Sequence, residues 1–309
     1  MSIVTEKLRF VSPETEGRFI APDIPRDRAV PGPGTTQPGV FTRAFIGEAL
    51  SLIHAPLLLR GETLVDAILN RPVCACTADD RKRLLTAPPT ERGAIRFVPT
   101  LCPRCGWDME GERDSLVLIC RNCESAWECP EGAFTGVEFA VIKARPEREE
   151  IVLYLPFWRM KPQIRGIELT TYGDLIRLAN LPKAITPAYR TAPLYFWSPA
   201  FKVNPTVYLR WSRQMTVFRP TGDETDRLPT TPLSPVTLPL AEAAEGIVIT
   251  LAELIANKRN LHPRLKDIRV DVEEFRLEYH PFALNRNELL HAIMQVAIDY
   301  TALAYGVRM

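Results

Sequence analysis

Four of the seven cysteines in this chain form two Cys-x-x-Cys pairs, with fourteen residues between the pairs and Gly106 directly after the first. A Cys-x-x-Cys turn presents two sulfurs from one tight knuckle. Backbone amides after the first cysteine can point at its sulfur and lower the basicity of the thiolate. Glycine then lets the chain leave the turn in a conformation that a Cβ would hinder. Four thiolates at this spacing are the usual ligands of a tetrahedral zinc ion. The sequence therefore predicts one structural zinc site, with the ligands Cys102, Cys105, Cys120 and Cys123.

The segment between the two pairs, WDMEGERDSLVLI, has the pattern of a hairpin. A strand precedes the polar turn at Glu110–Asp114 and a return strand covers Ser115–Ile119, which would bring the second pair beside the first. A catalytic zinc is disfavoured, because four thiolates leave no open position for water or substrate. Iron in a rubredoxin-like centre and a redox-active dithiol remain alternatives, since both use the same sulfurs.

The run CPRCGW, followed by LICRNCESAWEC, resembles a zinc ribbon with the CPxCG knuckle of rubredoxin-like ribbons. The resemblance covers residues 99–131 and implies a small metal-stabilised hairpin module. Zinc ribbons occur in transcription and replication factors, RNA-polymerase subunits and enzyme accessory modules, so the resemblance does not imply one function. The whole chain resembles uncharacterised bacterial zinc-ribbon proteins with a PFW-type strand, from which no activity transfers.

Charge argues against a simple nucleic-acid binder. The chain carries a net charge of +1, so it creates no strong long-range field. Residues 99–131 hold three arginines and seven acidic residues, a net charge of −4 before any metal centre is counted. An acidic ribbon repels phosphate. We expect Trp107 and Trp127 to cover the knuckles rather than to stack on bases.

The composition favours an α+β fold that is rich in β structure. Twenty-eight prolines among 309 residues are about 9% of the chain, against ~5% in average proteins, and this excess favours loops, edge strands and extended segments. Short apolar runs rich in aromatic and β-branched residues predict strands. These runs are Glu48–Leu59, Ala94–Val98, Leu116–Cys120, Val137–Ala144, Ile151–Met160, Leu194–Val203, Thr206–Phe218 and Ile268–Tyr279.

Helices are predicted at two places. Thr250 and Glu253 have capping-box spacing before an apolar pair, which predicts a helix start. Near the C-terminus, apolar residues recur at helical spacing before Gly306, which predicts an amphipathic helix over 287–305.

The chain divides into four predicted parts. Residues 1–40 are rich in proline and are predicted to be a flexible arm, and residues 41–98 a first β-rich segment. The zinc ribbon at 99–131 is predicted to be an insertion in a larger domain of proline-interrupted strands. That main domain covers 132–309, and its segment 220–239, with five prolines among threonines and acidic residues, is predicted to be a loop or linker.

Four apolar segments pass through a proline, at 50–60, 151–161, 194–203 and 275–285. Proline interrupts a strand ladder, so it belongs at an edge, a bulge or a corner. The first and last segments continue in register over HAPLLLRGETLVDAIL and YHPFALNRNELLHAIM, sharing Leu59/Leu284, Leu64/Leu289, Ala67/Ala292 and Ile68/Ile293. A degenerate duplication and a chance likeness both explain this pattern.

The remaining cysteines and histidines give weaker indications. Cys74 and Cys76 would share one face of a strand, and a second metal site with Cys129 and a histidine is conceivable. Small buried apolar side chains are the favoured interpretation of these cysteines. His54 and His280 each stand just before a proline of the similar segments, which favours packing at a repeated corner over catalysis.

The sequence contains no nucleophile elbow, phosphate-binding glycine loop, HExxH motif or kinase motif, so no catalytic residue is predicted. The leading hypothesis is a non-enzymatic, cytoplasmic, zinc-stabilised scaffold or adaptor that assembles other proteins. The alternative is an accessory factor in transcription, replication or repair that binds nucleic acid through Lys202–Arg219, with Arg210, Arg213 and Arg219. An enzyme whose residues converge only in the fold is a third possibility. No signal peptide or membrane span is expected from the sequence.

Overall fold

A computed structural model of the chain describes residues 56–86, 97–144, 151–256 and 267–306. The fold is α+β with more strand than helix, as predicted. The described residues belong to two compact units, one containing 56–86 and the other containing the remainder. The predicted arm at 1–40 lies outside the described residues, as do His54 and His262.

The first unit contains a three-stranded antiparallel sheet and one helix. Strands β1 (Leu57–Arg60), β2 (Thr63–Asp66) and β3 (Arg71–Ala75) pair in the order β1-β2-β3. Helix α1 (Ala78–Thr86) follows. The strand predicted from Glu48 therefore overlaps β1, and its residues before Pro56 lie outside the described ranges.

The second unit contains a seven-stranded sheet built around two long strands, β8 (Ile151–Arg165) and β11 (Arg269–Asn285), which pair antiparallel along most of their length. Strand β9 (Phe196–Pro199) lies on the other side of β8. The far edge of β11 pairs first with β7 (Phe139–Ile142) and then with β12 (Glu288–His291). Two further short strands complete the sheet, β10 (Glu224–Thr225) beside β7 and β13 (Ala297–Asp299) beside β12.

Strand β8 is buried on both faces, which explains its nearly continuous apolar sequence. Leu155 and Phe157 point into one core cluster, whereas Tyr154, Trp158 and Met160 point into the other. Phe157 and Trp158 are both almost fully buried. The aromatic run of 151–161 is therefore part of the core.

Helix α4 (Pro205–Phe218) covers one face of the sheet, and the prediction of a strand at Thr206–Phe218 is wrong. The Asn204 side chain accepts a hydrogen bond from the Val207 amide at 2.9 Å, and Pro205 occupies the first turn. Both are helix-start features. The apolar residues that looked like a strand lie on the buried stripe of a helix, with Trp211 and Met215 one turn apart.

The C-terminal segment is mostly strand, and the prediction of one helix over 287–305 is wrong for residues 288–299. Strands β12 and β13 occupy most of that range, and only α6 (Tyr300–Gly306) is helical. Arg286 adopts φ 57° in the two-residue turn between β11 and β12. Leu289 and His291 are fully buried while Leu290 between them is not. The apolar residues therefore alternate with the period of two of a strand, and the intervening turns gave their positions in the sequence the spacing of a helix.

Three other helices pack in the second unit, α2 (Tyr172–Leu178), α3 (Pro187–Thr191) and α5 (Leu240–Leu254). The predicted helix start at Thr250 is wrong, because Thr250 lies in the last turns of α5. Helix α5 begins directly after Pro239. Gly246 lies inside this helix and is buried, although in the sequence it resembles a helix break. Segment 220–239 is irregular apart from β10.

Two prolines, one in β8 and one in β11, stand where neighbouring strands change. Pro156 lies just before β8 begins to pair with β9, and Pro281 lies between the pairing of β11 with β7 and with β12. A proline lacks the amide that a continuous ladder would use, so it is tolerated at such a change of partner.

A polar chain crosses the core of this sheet. The Nδ1 atom of His291 accepts hydrogen bonds from the amides of Ile293 and Met294 at 3.1 and 3.2 Å. Its proton therefore lies on Nε2, which contacts Nδ1 of His280 at 3.2 Å. His280 in turn donates from Nε2 to Oε2 of Glu278 at 3.2 Å. The sequence analysis did not predict this series of hydrogen bonds. It did predict that His280 packs at a strand corner, and His280 is buried there.

Candidate metal centre

The four cysteines of the two pairs converge on one point. The Sγ atoms of Cys102 and Cys123 are 3.5 Å apart, as are those of Cys105 and Cys120. All four sulfurs lie within 4.8 Å of one another. A tetrahedral ion with metal–sulfur bonds near 2.3 Å requires sulfur separations of about 3.8 Å. The cluster is therefore consistent with a zinc-ribbon-like metal site.

The first knuckle is closed by backbone hydrogen bonds. The amide of Gly106 donates to the carbonyl of Cys102 at 2.8 Å, and the amide of Cys102 donates to the carbonyl of Trp107 at 2.8 Å. Gly106 has φ 73°, in the left-handed region that favours glycine. This turn is why a glycine follows the first cysteine pair.

A three-stranded sheet carries the second knuckle. Its strands are β4 (Val117–Cys120), β5 (Ser125–Glu128) and β6 (Thr135–Val137), with a short 3-10 turn at Pro130–Gly132. We call residues 97–137 the ribbon. A bridge between Glu110 and Ile119 brings the first knuckle alongside β4, as the hairpin prediction required.

Alternation along β4 and β5 gives the ribbon two different faces. Val117, Ile119 and Ala126 point into the main core of the second unit. Cys120 and Trp127 point to the opposite side, where Met109, Leu118 and Phe134 also pack around the sulfurs. The metal cluster thus lies on the side of the ribbon sheet away from the core.

Ser125 is a functional residue that the sequence analysis missed. Its Oγ lies 3.0 Å from Sγ of Cys123 and 3.7 Å from Sγ of Cys102. The indole N–H of Trp127 donates to the same Oγ at 2.8 Å. Because Trp127 donates to the Ser125 oxygen, the Ser125 O–H is left to donate to a thiolate. The sequence does show a serine two residues after the last cysteine, but nothing in its spacing identifies the contact.

Hydrogen bonds distribute charge unevenly among the sulfurs. Burial opposes ionisation of Cys102, yet the backbone amides of Cys105 and Arg104 donate to its sulfur and lower the pKa of this thiol to about 6. The Ser125 hydroxyl favours the thiolate of Cys123, but burial and hydrogen bonds with the neighbouring sulfurs raise the pKa of Cys123 to about 12. Four adjacent thiolates need a bound cation, because their mutual repulsion otherwise keeps some of them protonated.

The ribbon is attached to the loop at 220–239 by polar contacts. Arg121 pairs with Glu110 at 2.7 Å and donates from Nη1 to the carbonyl of Pro229 at 2.9 Å. The Leu228 amide donates to the carboxylate of Glu124 at 3.1 Å. A backbone bond from Leu116 to Val236 adds a further contact. The ribbon is therefore fixed to the body of its unit.

The two ribbon tryptophans differ in exposure. Trp127 packs against the sulfur cluster, as predicted. Trp107, predicted to cover a knuckle, is 62% exposed, so that prediction is wrong. Trp107 lies in the outer turn of the first knuckle, where its backbone carbonyl accepts a hydrogen bond from the Cys102 amide and its side chain is exposed. Leu101, paired with Asp108 at the base of this turn, is also exposed.

The other cysteines do not join the metal cluster. Among the described residues, the four ribbon cysteines form the only group close enough to hold a metal ion. Cys76 is buried, as the packing interpretation expected, whereas Cys74 and Cys129 are exposed. His280 and His291 bond to each other in the core.

Comparison with known proteins identifies no relative. No protein-family model, curated protein or solved structure gives a significant match to this chain. Within the described ranges, no helix is both long enough and apolar enough to cross a membrane. The class that the site itself defines is a protein with a ribbon-like cluster of four cysteines that could hold a metal ion.

Proposed function

We propose that the ribbon binds one structural zinc ion and that the protein is a non-enzymatic cytoplasmic scaffold or adaptor, with the first knuckle as its contact for partner proteins. The exposed Trp107 beside a closed four-sulfur cluster carries this proposal. A cage of four thiolates gives a metal no open coordination position, which suits a structural role. Zinc is the common occupant of such sites.

The exposed apolar side chains of the ribbon support a protein contact. Trp107 and Leu101 flank the first knuckle and are 62% and 49% exposed. Tryptophan is enriched at the energetic centres of protein interfaces, because it buries a large rigid surface at small entropic cost. The metal would join the first knuckle to the second, which contacts the loop at 220–239, so the contact surface is formed before a partner binds.

Metal content tests the zinc part of the proposal. Elemental analysis of protein purified without chelator is expected to give one zinc per chain. Cys102→Ser or Cys120→Ser should abolish stoichiometric zinc. Cys129→Ser, a substitution of an exposed cysteine in the same unit, should leave it unchanged. Iron or no metal in the wild-type protein would contradict the proposal.

Partner capture tests the scaffold part. A photo-crosslinking amino acid at position 107, introduced in cells of the source organism, is expected to yield a defined protein adduct that mass spectrometry can identify. The purified adduct partner should bind wild-type protein and lose at least tenfold in affinity for Trp107→Ala. Leu284→Ala, at another exposed apolar residue, serves as the matched control. Equal affinities for the two variants would contradict the role of the knuckle.

A nucleic-acid-associated function is the second candidate, and helix α4 favours it. Arg210 and Arg213 are exposed on one side of this helix and Arg219 caps its C-terminal end. No acidic residue occurs from 200 to 222. Two exposed arginines on one side of a helix without nearby acidic residues fit a phosphate backbone, whereas the acidic ribbon does not.

Salt-dependent binding separates the two candidates. If α4 binds nucleic acid, a labelled single-stranded DNA should bind and lose more than tenfold in affinity between about 50 and 200 mM salt. Replacing Arg210, Arg213 and Arg219 together by Gln should remove this binding. Arg165→Gln, at an exposed arginine already paired with Asp271, should not. Absence of binding at low salt would exclude this candidate.

A further inference from the structure

A hairpin in the first unit matches the C-terminal hairpin of the second unit, and we call them the first copy and the second copy. In both, two four-residue segments pair antiparallel around a two-residue turn, and every residue of one hairpin is 225 positions from its equivalent in the other. Leu59 pairs with Leu64 and Leu284 pairs with Leu289. The in-register leucines noted in the sequence therefore occupy equivalent positions in two hairpins with the same pairing.

The turns of the two copies also agree in backbone geometry. Gly61 has φ 59° and its equivalent Arg286 has φ 57°, while Asn70 has φ 52° and its equivalent Gln295 has φ 57°. Three of the six left-handed non-glycine residues in the described ranges thus lie at equivalent turn positions of these two hairpins. A left-handed backbone is uncommon outside glycine, so this coincidence of position is specific.

The same hydrogen bonds close the second turn in each copy. The Ala67 amide donates to the carbonyl of Pro56, and the Ala292 amide donates to the carbonyl of Pro281, both at 3.0 Å. Asp66 in the first copy accepts amide hydrogen bonds from the residues two and three positions later, at 2.8 and 2.9 Å. His291, its equivalent in the second copy, accepts the corresponding pair through Nδ1.

A third strand and a helix follow in both copies. Val65 pairs with Pro72 in the first, as Leu290 pairs with Ala297 in the second. A register shift in the first copy then adds one residue, so that Cys74 becomes the equivalent of Ile298. The helices α1 and α6 come next in the chain.

The copies differ in what covers them. In the second copy, Phe282, Leu289 and Ile298 are fully buried. Helix α4 covers this face, with the ring of Trp211 centred 5.5 Å from that of Phe282. Met294 packs against the same cluster.

The equivalent face of the first copy is exposed. Leu57 and Leu69, the equivalents of Phe282 and Met294, are 46% and 57% exposed, and Cys74 is exposed as well. Leu64, the equivalent of the fully buried Leu289, is half-buried. Helix α1 contributes no buried residue. A small sheet with an open apolar face of this kind needs a partner layer for stability.

We propose that this face of the first copy binds an amphipathic, basic helix of a partner protein, which presents an aromatic side chain as α4 presents Trp211. The second copy shows which shape fits the face, since α4 places Val207, Trp211 and Met215 on it at intervals of four residues. Helices with this spacing bind apolar grooves through the same few anchors. The face shares no residue with the ribbon knuckle, so this proposal and the proposed function can be tested independently.

Charge defines the partner helix further. Asp66 places a carboxylate where the second copy has the buried His291, whose ring is centred 6.2 Å from that of Trp211. On α4, Arg210 donates from Nη2 to the carbonyl of Ala297 at 3.2 Å, and the first copy has Pro72 at that position. A cation next to the aromatic anchor would therefore meet both a backbone carbonyl and a carboxylate.

A labelled peptide with the sequence of residues 204–219 is the probe, because it carries the anchors and arginines of α4. Titrated with the full-length zinc-loaded protein, its fluorescence anisotropy should saturate with a dissociation constant of about 100 µM or tighter. Leu69→Glu should weaken binding at least tenfold, and Leu57→Glu provides a second, independent variant. Leu284→Glu, at an exposed position of the second copy, should leave binding unchanged. A peptide in which Ala replaces the tryptophan should bind at least tenfold more weakly.

Three results would overturn the assignment. The first is absence of saturable binding, or binding that none of the first-copy substitutions weakens. The second is a dimer in sedimentation that Leu69→Glu dissociates, because a second copy of this chain would then occupy the face. The third is tighter peptide binding after removal of residues 1–40, because the N-terminal arm would then be the occupant. Circular dichroism and zinc content confirm that each variant is folded.

Discussion

Ser125 shows how a single hydroxyl can adjust the metal centre. It lies between two of the four sulfurs, and the indole of Trp127 orients it. Donors next to metal-bound sulfur reduce the charge that the metal must neutralise, and so favour the fully ionised ligand set. The four ligands are predictable from spacing alone, whereas this serine depends on how β5 turns after the second knuckle.

Ser125→Ala is expected to lower zinc affinity by about tenfold, since outer hydrogen bonds to ligands typically contribute ten- to a hundredfold. Competition with a chromophoric chelator measures the change. Ser115→Ala is the control, because that hydroxyl contacts the amide of Glu112 and no sulfur. Equal affinity of the two variants would show that Ser125 has no part in metal binding.

The buried histidines make stability depend on pH. Burial, together with the nearby His280, lowers the pKa of His291 well below its ordinary value. Burial opposes ionisation of Glu278, but His280, Trp197 and Arg276 lower its pKa to about 2. Both pKa values are lower in the folded protein than in the unfolded chain. Each group therefore stabilises the fold above its unfolded pKa and loses that contribution as the pH falls.

The urea midpoint of the protein is expected to fall between pH 7 and pH 5, as His291 becomes protonated in the unfolded chain. A second fall should follow below about pH 4.5, from Glu278. His291→Asn keeps an acceptor for the turn amides and removes the imidazole. This variant should be less stable at pH 7 and show a smaller change between pH 7 and pH 5. An unchanged slope would mean that other groups govern the transition.

At the scale of elements, the sequence predicted the strands with buried faces and failed where one pattern fits two structures. The apolar runs of β4, β8 and β11 are long or strongly alternating, and all three strands begin within one residue of the predicted start, although β8 and β11 extend five and six residues beyond the predicted ends. Helix α4 was missed because its buried residues are aromatic and β-branched, which weights propensity toward strand. The start signal in Asn204 and Pro205 was the better guide.

The cap of α4 yields a test of that explanation. Asn204→Ala removes the acceptor for the Val207 amide and is expected to destabilise the protein by about 1 kcal/mol. Urea denaturation measures the effect. Thr206→Ala, an exposed position in the first turn of the same helix, should change stability by less than about 0.5 kcal/mol. Similar losses for both variants would argue against a specific cap.

At the scale of the molecule, the ribbon shares its core with the main sheet of its unit. Val117 and Ile119 pack in the same cluster as Trp158 and Leu277. The sequence predicted an inserted ribbon but could not show this shared packing, because the residues of the cluster come from distant segments. The docking contacts also depend on a proline-rich loop, whose path no periodic pattern specifies.

Removal of zinc is therefore expected to loosen more than the knuckles. After chelation, hydrogen exchange should accelerate in residues 99–131 and also in the attached loop at 220–239. The paired centres of β8 and β11 should stay protected, because their bonds do not involve the ribbon. Protection lost throughout the unit would mean that the metal supports the whole fold. Exchange confined to residues 99–131 would mean that the loop contacts are weak.

The pairing of β8 with β11 has a consequence for biosynthesis. Arg159 and Glu278, which form an ion pair across these strands, are 119 positions apart in the chain. A ribosome therefore exposes the apolar run IVLYLPFW long before its neighbour has been made. During that interval the nascent polypeptide carries an exposed apolar segment, a typical target for chaperones. Premature termination before residue 269 would leave that segment permanently without its main partner, and such fragments should accumulate as insoluble aggregates.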